Sequence, residues 1–391
     1  MLPFDEALKI VLNSARRLGT ECVDLAEAAG RILAEDVTSD TDMPPFDKSL
    51  RDGYACRRAD LRNELAIIET IAAGQTPQKT IGKNQCTKIM TGAMFPKGAD
   101  CVVMVEFTES ASRGTVRFTG SDTADNISRR GEDLKAGDIV LRKGEMIGPA
   151  HVGTLASVGC ANPLVSLRLR VGVIITGNEL VSAGEKPRGS QIRDSNGPQL
   201  AAQLAQVGAI VRSYGVVGDI EEDISAGVVR AAAENDVVLI CGGVSVGDYD
   251  YVPAVLRRSG FELLFEKIAV KPGKPTVFGV RDGTFCFGLP GNPVSVLVTF
   301  ELLVKPFLYK MMGHDHRPRI FRGSLGQAFR RKETDRLEWI PALTGDDGIV
   351  KLVEYHGSAH ISALCKAEGL IAVDVGVSEI SKGTTVNLRL L

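Results

Sequence analysis

The sequence has 391 residues, 44% of them apolar and 24% charged, with a formal net charge of −2. That length predicts two to four domains of roughly 100–200 residues each, and the composition is that of a globular chain, which excludes general disorder. A near-neutral charge without a basic tail argues against nucleic acid as the main partner, and no window reaches the roughly 18 apolar residues that cross a bilayer.

The opening Met1-Leu2-Pro3-Phe4-Asp5-Glu6 has neither the basic start nor the apolar run of a signal peptide. Phe4, Leu8, Val11, Leu12, Ala15 and Leu18 share one helix face, with Pro3 suited to the first helical position. A second helix is predicted over 25–33. The stretch 41–47 is turn-rich. Short apolar runs at 65–71, 87–90, 101–106 and 115–118 then predict a small β-rich domain. A strand at 137–141 and a helix at 149–158 return to pack on the N-terminal helices, which makes the first domain discontinuous.

From about residue 167 the pattern alternates. Strands are predicted at 171–176, 210–214, 237–241, 276–280 and 284–288, and helices at 200–207, 220–234, 252–258 and 294–312. Near-continuous apolar strands between helices mean a mostly parallel sheet covered on both faces. Glu301 and Lys305 make the last helix a core helix, not a membrane span. Strands at 320–325, 339–343, 349–355, 370–373 and 385–390 form a small C-terminal β domain.

The fold class is therefore multidomain α/β plus β: a mostly parallel, three-layer α/β domain with a β-rich inserted domain, a discontinuous N-terminal domain and a small C-terminal β domain. The boundaries are 1–39 with 133–166, 40–132, 167–314 and 315–391. The eight cysteines are scattered without a C-x-x-C pair and read as reduced thiols, so the expected compartment is the cytoplasm. The basic clusters Arg129-Arg130 and Arg330-Arg331-Lys332 read as solvated faces, as do His314 and His316.

Several strand ends carry chemistry. Cys241-Gly242-Gly243-Val244-Ser245-Val246-Gly247-Asp248-Tyr249-Asp250 joins a buried strand to a helix. Its glycines let backbone N–H groups approach an anion, Ser245 adds a hydroxyl, and Asp248 and Asp250 can reach a metal. A tight turn before an acidic helix start explains it equally well. Lys271-Pro272-Gly273-Lys274-Pro275 presents two cations on a stiff loop suited to an oxyanion. Gly288-Leu289-Pro290-Gly291-Asn292-Pro293-Val294-Ser295 meets a helix start, where free N–H donors favour phosphate. Glu179 follows another strand, and Asp219 either caps the next helix or joins the site. Together these describe a site for a phosphorylated or otherwise anionic ligand, with carboxylates for a hard cation such as magnesium.

These segments resemble the molybdopterin molybdenumtransferases, the MoeA family, with the E-domain of gephyrin a relative. The matching pieces run in order: Asp52-Gly53-Tyr54-Ala55, Ile89-Met90-Thr91-Gly92-Ala93, Arg130-Gly131-Glu132-Asp133, Thr176-Gly177-Asn178-Glu179-Leu180, 242–248, 271–275 and 289–295. The resemblance implies a four-domain subunit that dimerises, with a cleft shared between the β-rich domain of one subunit and the α/β and C-terminal domains of the other. It implies insertion of molybdenum from molybdate into adenylylated molybdopterin, with magnesium and release of AMP. Asp52, Asp133, Glu179, Asp219 and Asp250 match the functional acidic positions, with Glu179, Asp219 and Asp250 toward the metal. Gly242, Gly243, Ser245, Lys271, Lys274, Pro290, Gly291, Asn292, Pro293 and Ser295 match the substrate- and molybdate-binding loops. The adenylylating enzyme of the same pathway is the implied delivery partner.

Two positions depart from the family pattern. Arg51 stands where methionine is usual and puts a cation beside Asp52. Asn178 stands where aspartate is frequent, which removes a charge near the metal positions. Two other readings stay open: a molybdopterin-binding scaffold of weak activity, and a pterin nucleotidyltransferase.

Overall fold

The computed structural model describes residues 1–245, 247, 250–345 and 347–391. They divide into two compact units: Met1–Glu35 with Gly144–Gly148 and Leu164–Leu391, and Asp36–Lys143 with Pro149–Pro163.

The larger unit is built on a six-stranded sheet in the order Ile210–Val217, Arg170–Thr176, Val237–Cys241, Thr284–Leu289, Val277–Arg281, Glu262–Phe265. The first four strands pair in parallel and the last two pairings are antiparallel, so Val277–Arg281 alone runs against the rest. Both faces are buried, and the side chains divide by parity. Val171, Val173, Ile175, Val237, Leu239 and Cys241 share one core with helix Asn196–Val207 and the helical segment that follows Pro293. Ile174, Val238 and Ile240 share the other with helices Glu221–Glu234 and Val252–Arg258. The mostly parallel, three-layer expectation holds. The Glu262–Phe265 strand, with its half-buried pattern, is absent from the sequence reading.

Phe4, Ala7 and Val11 of helix Phe4–Ser14 enter the first of these cores. The helix expected over 25–33 ends early, as Leu25–Ala28, because Ala29 is extended. The backbone is then used elsewhere: Ile32 bridges Met146 and Leu33 bridges Val165. Tertiary pairing overrides helix propensity there. The long helix predicted at 294–312 is also interrupted. Pro293–Thr299 and Lys305–Met311 are α-helical, and Phe300–Val304 between them is π-helical. Pro306 removes one N–H from the ladder and crowds the preceding turn, which widens it.

The C-terminal strands close on themselves. Val270–Lys271, Leu337–Thr344, Ile349–Leu352, Ile320–Leu325, Thr385–Leu390 and Gly369–Val373 pair in that order, and Gly369–Val373 pairs back with Leu337–Thr344. Ile340, Val350, Ile371 and Leu388 fill the small barrel. Arg331 is not solvated, as its cluster led us to expect. Its side chain is 4% exposed, binds Glu338, and donates to the carbonyls of Arg336 and Val377. His314 and His316 are likewise half-buried beside Tyr309, and burial pushes His316 down to about 4.

The smaller unit holds a third six-stranded sheet, in the order Cys101–Met104, Gly53–Cys56, Gln85–Ile89, Glu64–Ile71, Thr115–Phe118, Thr108–Ser110. Leu65, Cys86 and Val116 lie on one face, and Ala55, Ile89 and Val102 on the other. Arg129 and Arg130 are exposed there, paired with Asp47 and Asp42. None of the eight cysteines is in a disulfide. No helix among the described residues is long and apolar enough to cross a membrane.

Candidate functional site

Strands Arg170–Thr176 and Val237–Cys241 are neighbours in the sheet, yet the chain leaves the first toward one edge and the second toward the other. The crossovers part at this point, and ligands of open α/β sheets bind at the strand ends where that happens. A cleft of about 630 Å³ opens there. It is lined by Gly177, Glu179, Asn196, Asp219, Gly242, Gly243, Ser245, Asp250, Pro290, Gly291, Asn292 and Pro293. One loop at its floor must be glycine. Gly242 has φ +100°, and a Cβ there would lie 2.6 Å from the carbonyl and hydroxyl oxygens of Thr176.

The carboxylates are held from different strand ends. Asp219 Oδ2 accepts from the Asn178 N–H at 3.1 Å, and the Asp219 N–H donates to Asn178 Oδ1 at 3.0 Å. Asp250 Oδ2 accepts from the Gly247 N–H at 2.6 Å. Asp248 lies outside the described residues. Among the described residues no three His, Cys, Asp or Glu side chains converge into a cage for a metal ion. The carboxylates lining the cleft are oxygen donors without imidazole or thiolate beside them. Such a set fits a hard cation completed by a ligand's own phosphates, the usual arrangement for magnesium.

A second cleft, about 350 Å³, is lined by Lys271, Lys274, Pro275, Pro290, Asn292, Ser295, Arg336, Glu338, Tyr355 and Ser358. Strand Val270–Lys271 pairs with Leu337–Thr344, which places Lys271 opposite Glu338. Lys271 Nζ lies 3.0 Å from Glu338 Oε1. Lys274 has no ion pair among the described residues. The helix start after Asn292 offers fewer donors than its sequence implied. Pro293 has no N–H, and the Val294 N–H is already given to the Ser358 carbonyl at 3.0 Å. Burial pushes the Tyr355 hydroxyl up to about 12.

In the smaller unit, Asp52 Oδ1 accepts from the Thr91 N–H at 2.6 Å and from Thr91 Oγ1 at 2.9 Å. These bonds hold its carboxyl below the usual carboxylate value. Arg51 does not pair with Asp52. Asp133 is exposed, with its N–H given to the Met43 carbonyl.

Three family models cover the chain almost end to end: the MoeA N-terminal region (domain I and II) at residues 2–159, a probable molybdopterin binding domain at 172–310, and the MoeA C-terminal region (domain IV) at 313–391. The molybdopterin molybdenumtransferase of Staphylococcus epidermidis is 37% identical over 98% of this chain and 94% of its own length. The chain belongs to the MoeA family. The molybdopterin molybdenumtransferase of Staphylococcus aureus is 36% identical over 100% of this chain and 95% of its own. The solved molybdopterin biosynthesis MoeA protein of Pyrococcus horikoshii matches with a TM-score of 0.86 and 31% identity, covering both chains fully. MoeA proteins of this kind are enzymes of molybdenum cofactor biosynthesis.

Sequence reading missed Arg336, Glu338, Tyr355 and Ser358 in this MoeA chain, because barrel pairing alone brings them to the lysine loop. It also passed over Asn196, whose signal was a polar residue opening an apolar helix facing the glycine loop. Thr91 stood inside a matched motif, but nothing local linked it to Asp52.

Proposed function

We propose that this chain transfers molybdenum from molybdate into adenylylated molybdopterin, with magnesium, releasing AMP and the molybdenum cofactor. The observation that carries this reading is the adjacency of two unlike clefts. One holds Glu179, Asp219, Asp250 and the glycine loop; the other holds Lys271, Lys274 and Arg336. They share Pro275, Pro290 and Asn292. A phosphorylated substrate in the first would thus present its far end to an oxyanion in the second.

In this account Gly243, Ser245 and Gly291 hold the substrate's phosphates, through backbone N–H groups and the Ser245 hydroxyl, while Gly242 and Pro293 shape the two loops that present them. Glu179, Asp219 and Asp250 would hold magnesium, which when bound offsets charge on the pyrophosphate oxygens as the anhydride breaks. Lys271 and Lys274 orient molybdate by charge-assisted hydrogen bonds, and Pro290, Asn292 and Ser295 shape that pocket. Asp52 and Asp133 complete the acidic set from a partner subunit of a homodimer. The dithiolene sulfurs that receive the metal belong to the substrate, so no cysteine of the chain acts as its ligand. The four-part division set out above, a cytoplasmic location and delivery by the adenylylating enzyme belong to the same proposal.

The test is to supply purified protein with adenylylated molybdopterin, magnesium and molybdate, and to follow AMP and the activation of a molybdoenzyme. Both products are expected, and both are lost in Asp219→Asn. AMP release that ignores molybdate would favour nucleotide turnover instead. Tight binding with neither product would favour a scaffold.

A further inference from the structure

Asn196 opens helix Asn196–Val207 at the cleft wall and is 7% exposed. Its Nδ2 donates to the Gly291 carbonyl at 2.6 Å and to Cys241 Sγ at 3.1 Å. The Cys241 thiol donates in turn to the Pro290 carbonyl at 3.2 Å. The proton directions are not interchangeable. Backbone carbonyls only accept, so the thiol must give its hydrogen to Pro290 and the amide one of its own to Gly291. The second amide hydrogen then meets the sulfur. Burial pushes the Cys241 thiol up to about 12, which keeps its hydrogen in place. The Asn196 Oδ1 is buried without a partner. An asparagine kept at that cost is held for what its NH₂ group does.

Those three bonds join the two glycine-bearing loops of the cleft. One follows strand Val237–Cys241, and the other follows Thr284–Leu289. The loops already touch: the Gly242 N–H donates to the Leu289 carbonyl, and a Cβ on Gly291 would meet the Gly242 Cα at 3.9 Å. We infer that Asn196 and Cys241 are positioning residues that set the spacing of the Gly242–Ser245 and Pro290–Pro293 loops for a phosphate-bearing substrate. The inference rests on the anion-binding reading of this cleft given above. It also gives the thiol a task as a hydrogen-bond relay, not as a nucleophile or metal ligand.

The test uses inorganic pyrophosphate as probe, titrated calorimetrically into the whole protein and into Cys241→Ser, Cys241→Ala and Asn196→Ala, with a thermal melt of each. Serine keeps both the donor and the acceptor, so Cys241→Ser is expected to bind within about twofold of the parent. Cys241→Ala and Asn196→Ala are expected to bind about tenfold more weakly, the worth of one good hydrogen bond. A residue that only fills space predicts the reverse: alanine harmless to binding, serine no better. Equal binding by the serine and alanine variants overturns the inference, as does a parent protein that binds no pyrophosphate. Failure of the insertion reading shows separately, as parent AMP release that does not depend on molybdate.

Discussion

Asn178 and Asp219 hold each other by reciprocal hydrogen bonds, each backbone N–H donating to the other's side-chain oxygen, at 3.1 and 3.0 Å. They follow two adjacent parallel strands, so the pair fixes the mouth of the sheet beside Glu179. A residue whose sequence suggested a lost charge is, in the structure, a clamp on a cleft carboxylate.

Asn178→Ala removes one half of that clamp, the bond from the Asp219 N–H, and keeps the backbone N–H that binds the Asp219 carboxylate, so it is expected to loosen Asp219 without unfolding the chain. Asn178→Ala should raise the magnesium concentration for half-maximal activity about three- to tenfold, since an exposed hydrogen bond is worth about 0.5–1.5 kcal/mol. Asn178→Asp keeps the acceptor and adds a charge, and should lower that concentration. A magnesium titration of the three proteins checks the order.

The two lysines of the 271–275 loop are not equivalent. Lys271 is already paired with Glu338, whereas Lys274 has no ion pair among the described residues. Lys274→Ala is therefore expected to raise the KM for molybdate more than Lys271→Ala does. A charge-assisted hydrogen bond worth about 1.5–3 kcal/mol puts the larger effect at roughly 10- to 100-fold. Steady-state kinetics with molybdate varied will show it, and both effects should shrink at high salt.

Thr91 tunes Asp52. The ordinary carboxyl value is 3.8, and the two bonds from Thr91 hold Asp52 below it. A depressed carboxylate adds stability above its unfolded value and loses it as pH falls through the folded one. The pH window is thus below 3.8, far from neutrality. Thr91→Val should raise the Asp52 value toward the ordinary one, read by NMR titration. Turnover at pH 7 should fall through lost orientation, while the profile between pH 6 and 8 keeps its shape.

The strands Arg170–Thr176 and Val237–Cys241 were legible because both faces bury apolar side chains, leaving a continuous apolar run. The glycine loops that follow were legible as candidate ligand-binding turns, from a strand end followed by residues that let the backbone approach, and they line the larger cleft. What stayed hidden depends on pairing between distant segments. Glu338 reaches Lys271 only through the short parallel pairing of their strands. Thr91 reaches Asp52 across the smaller unit's sheet, where Gly53 pairs with Ile89. The π-helical Phe300–Val304 stretch continues the apolar run of the helix around it, and its one signal in the sequence is Pro306 just beyond it.

Glu301 in that stretch and Lys305 just after it form an ion pair at 2.7 Å, with side chains 7% and 16% exposed. Gln203 Nε2 also donates to Glu301, at 3.2 Å. Glu301→Leu leaves Lys305 without its partner and is expected to cost about 3–5 kcal/mol. The double change Glu301→Leu with Lys305→Met should recover most of that. Denaturant unfolding of the single and double variants is the measurement.

Gly53 sits where no side chain fits, since a Cβ would lie 1.9 Å from the Val103 carbonyl oxygen. Gly53→Ala is expected to push the Gly53–Cys56 and Cys101–Met104 strands apart, at a cost of about 1–3 kcal/mol or more. A lowered melting temperature together with lost activity would be the readout.

The most direct measurement is the stoichiometry of AMP released to molybdenum bound, in one turnover with adenylylated molybdopterin, magnesium and molybdate. The account predicts one AMP for each molybdenum inserted, and no AMP when molybdate is withheld. Equal AMP release with and without molybdate would contradict it, because the two clefts would then not act on one substrate.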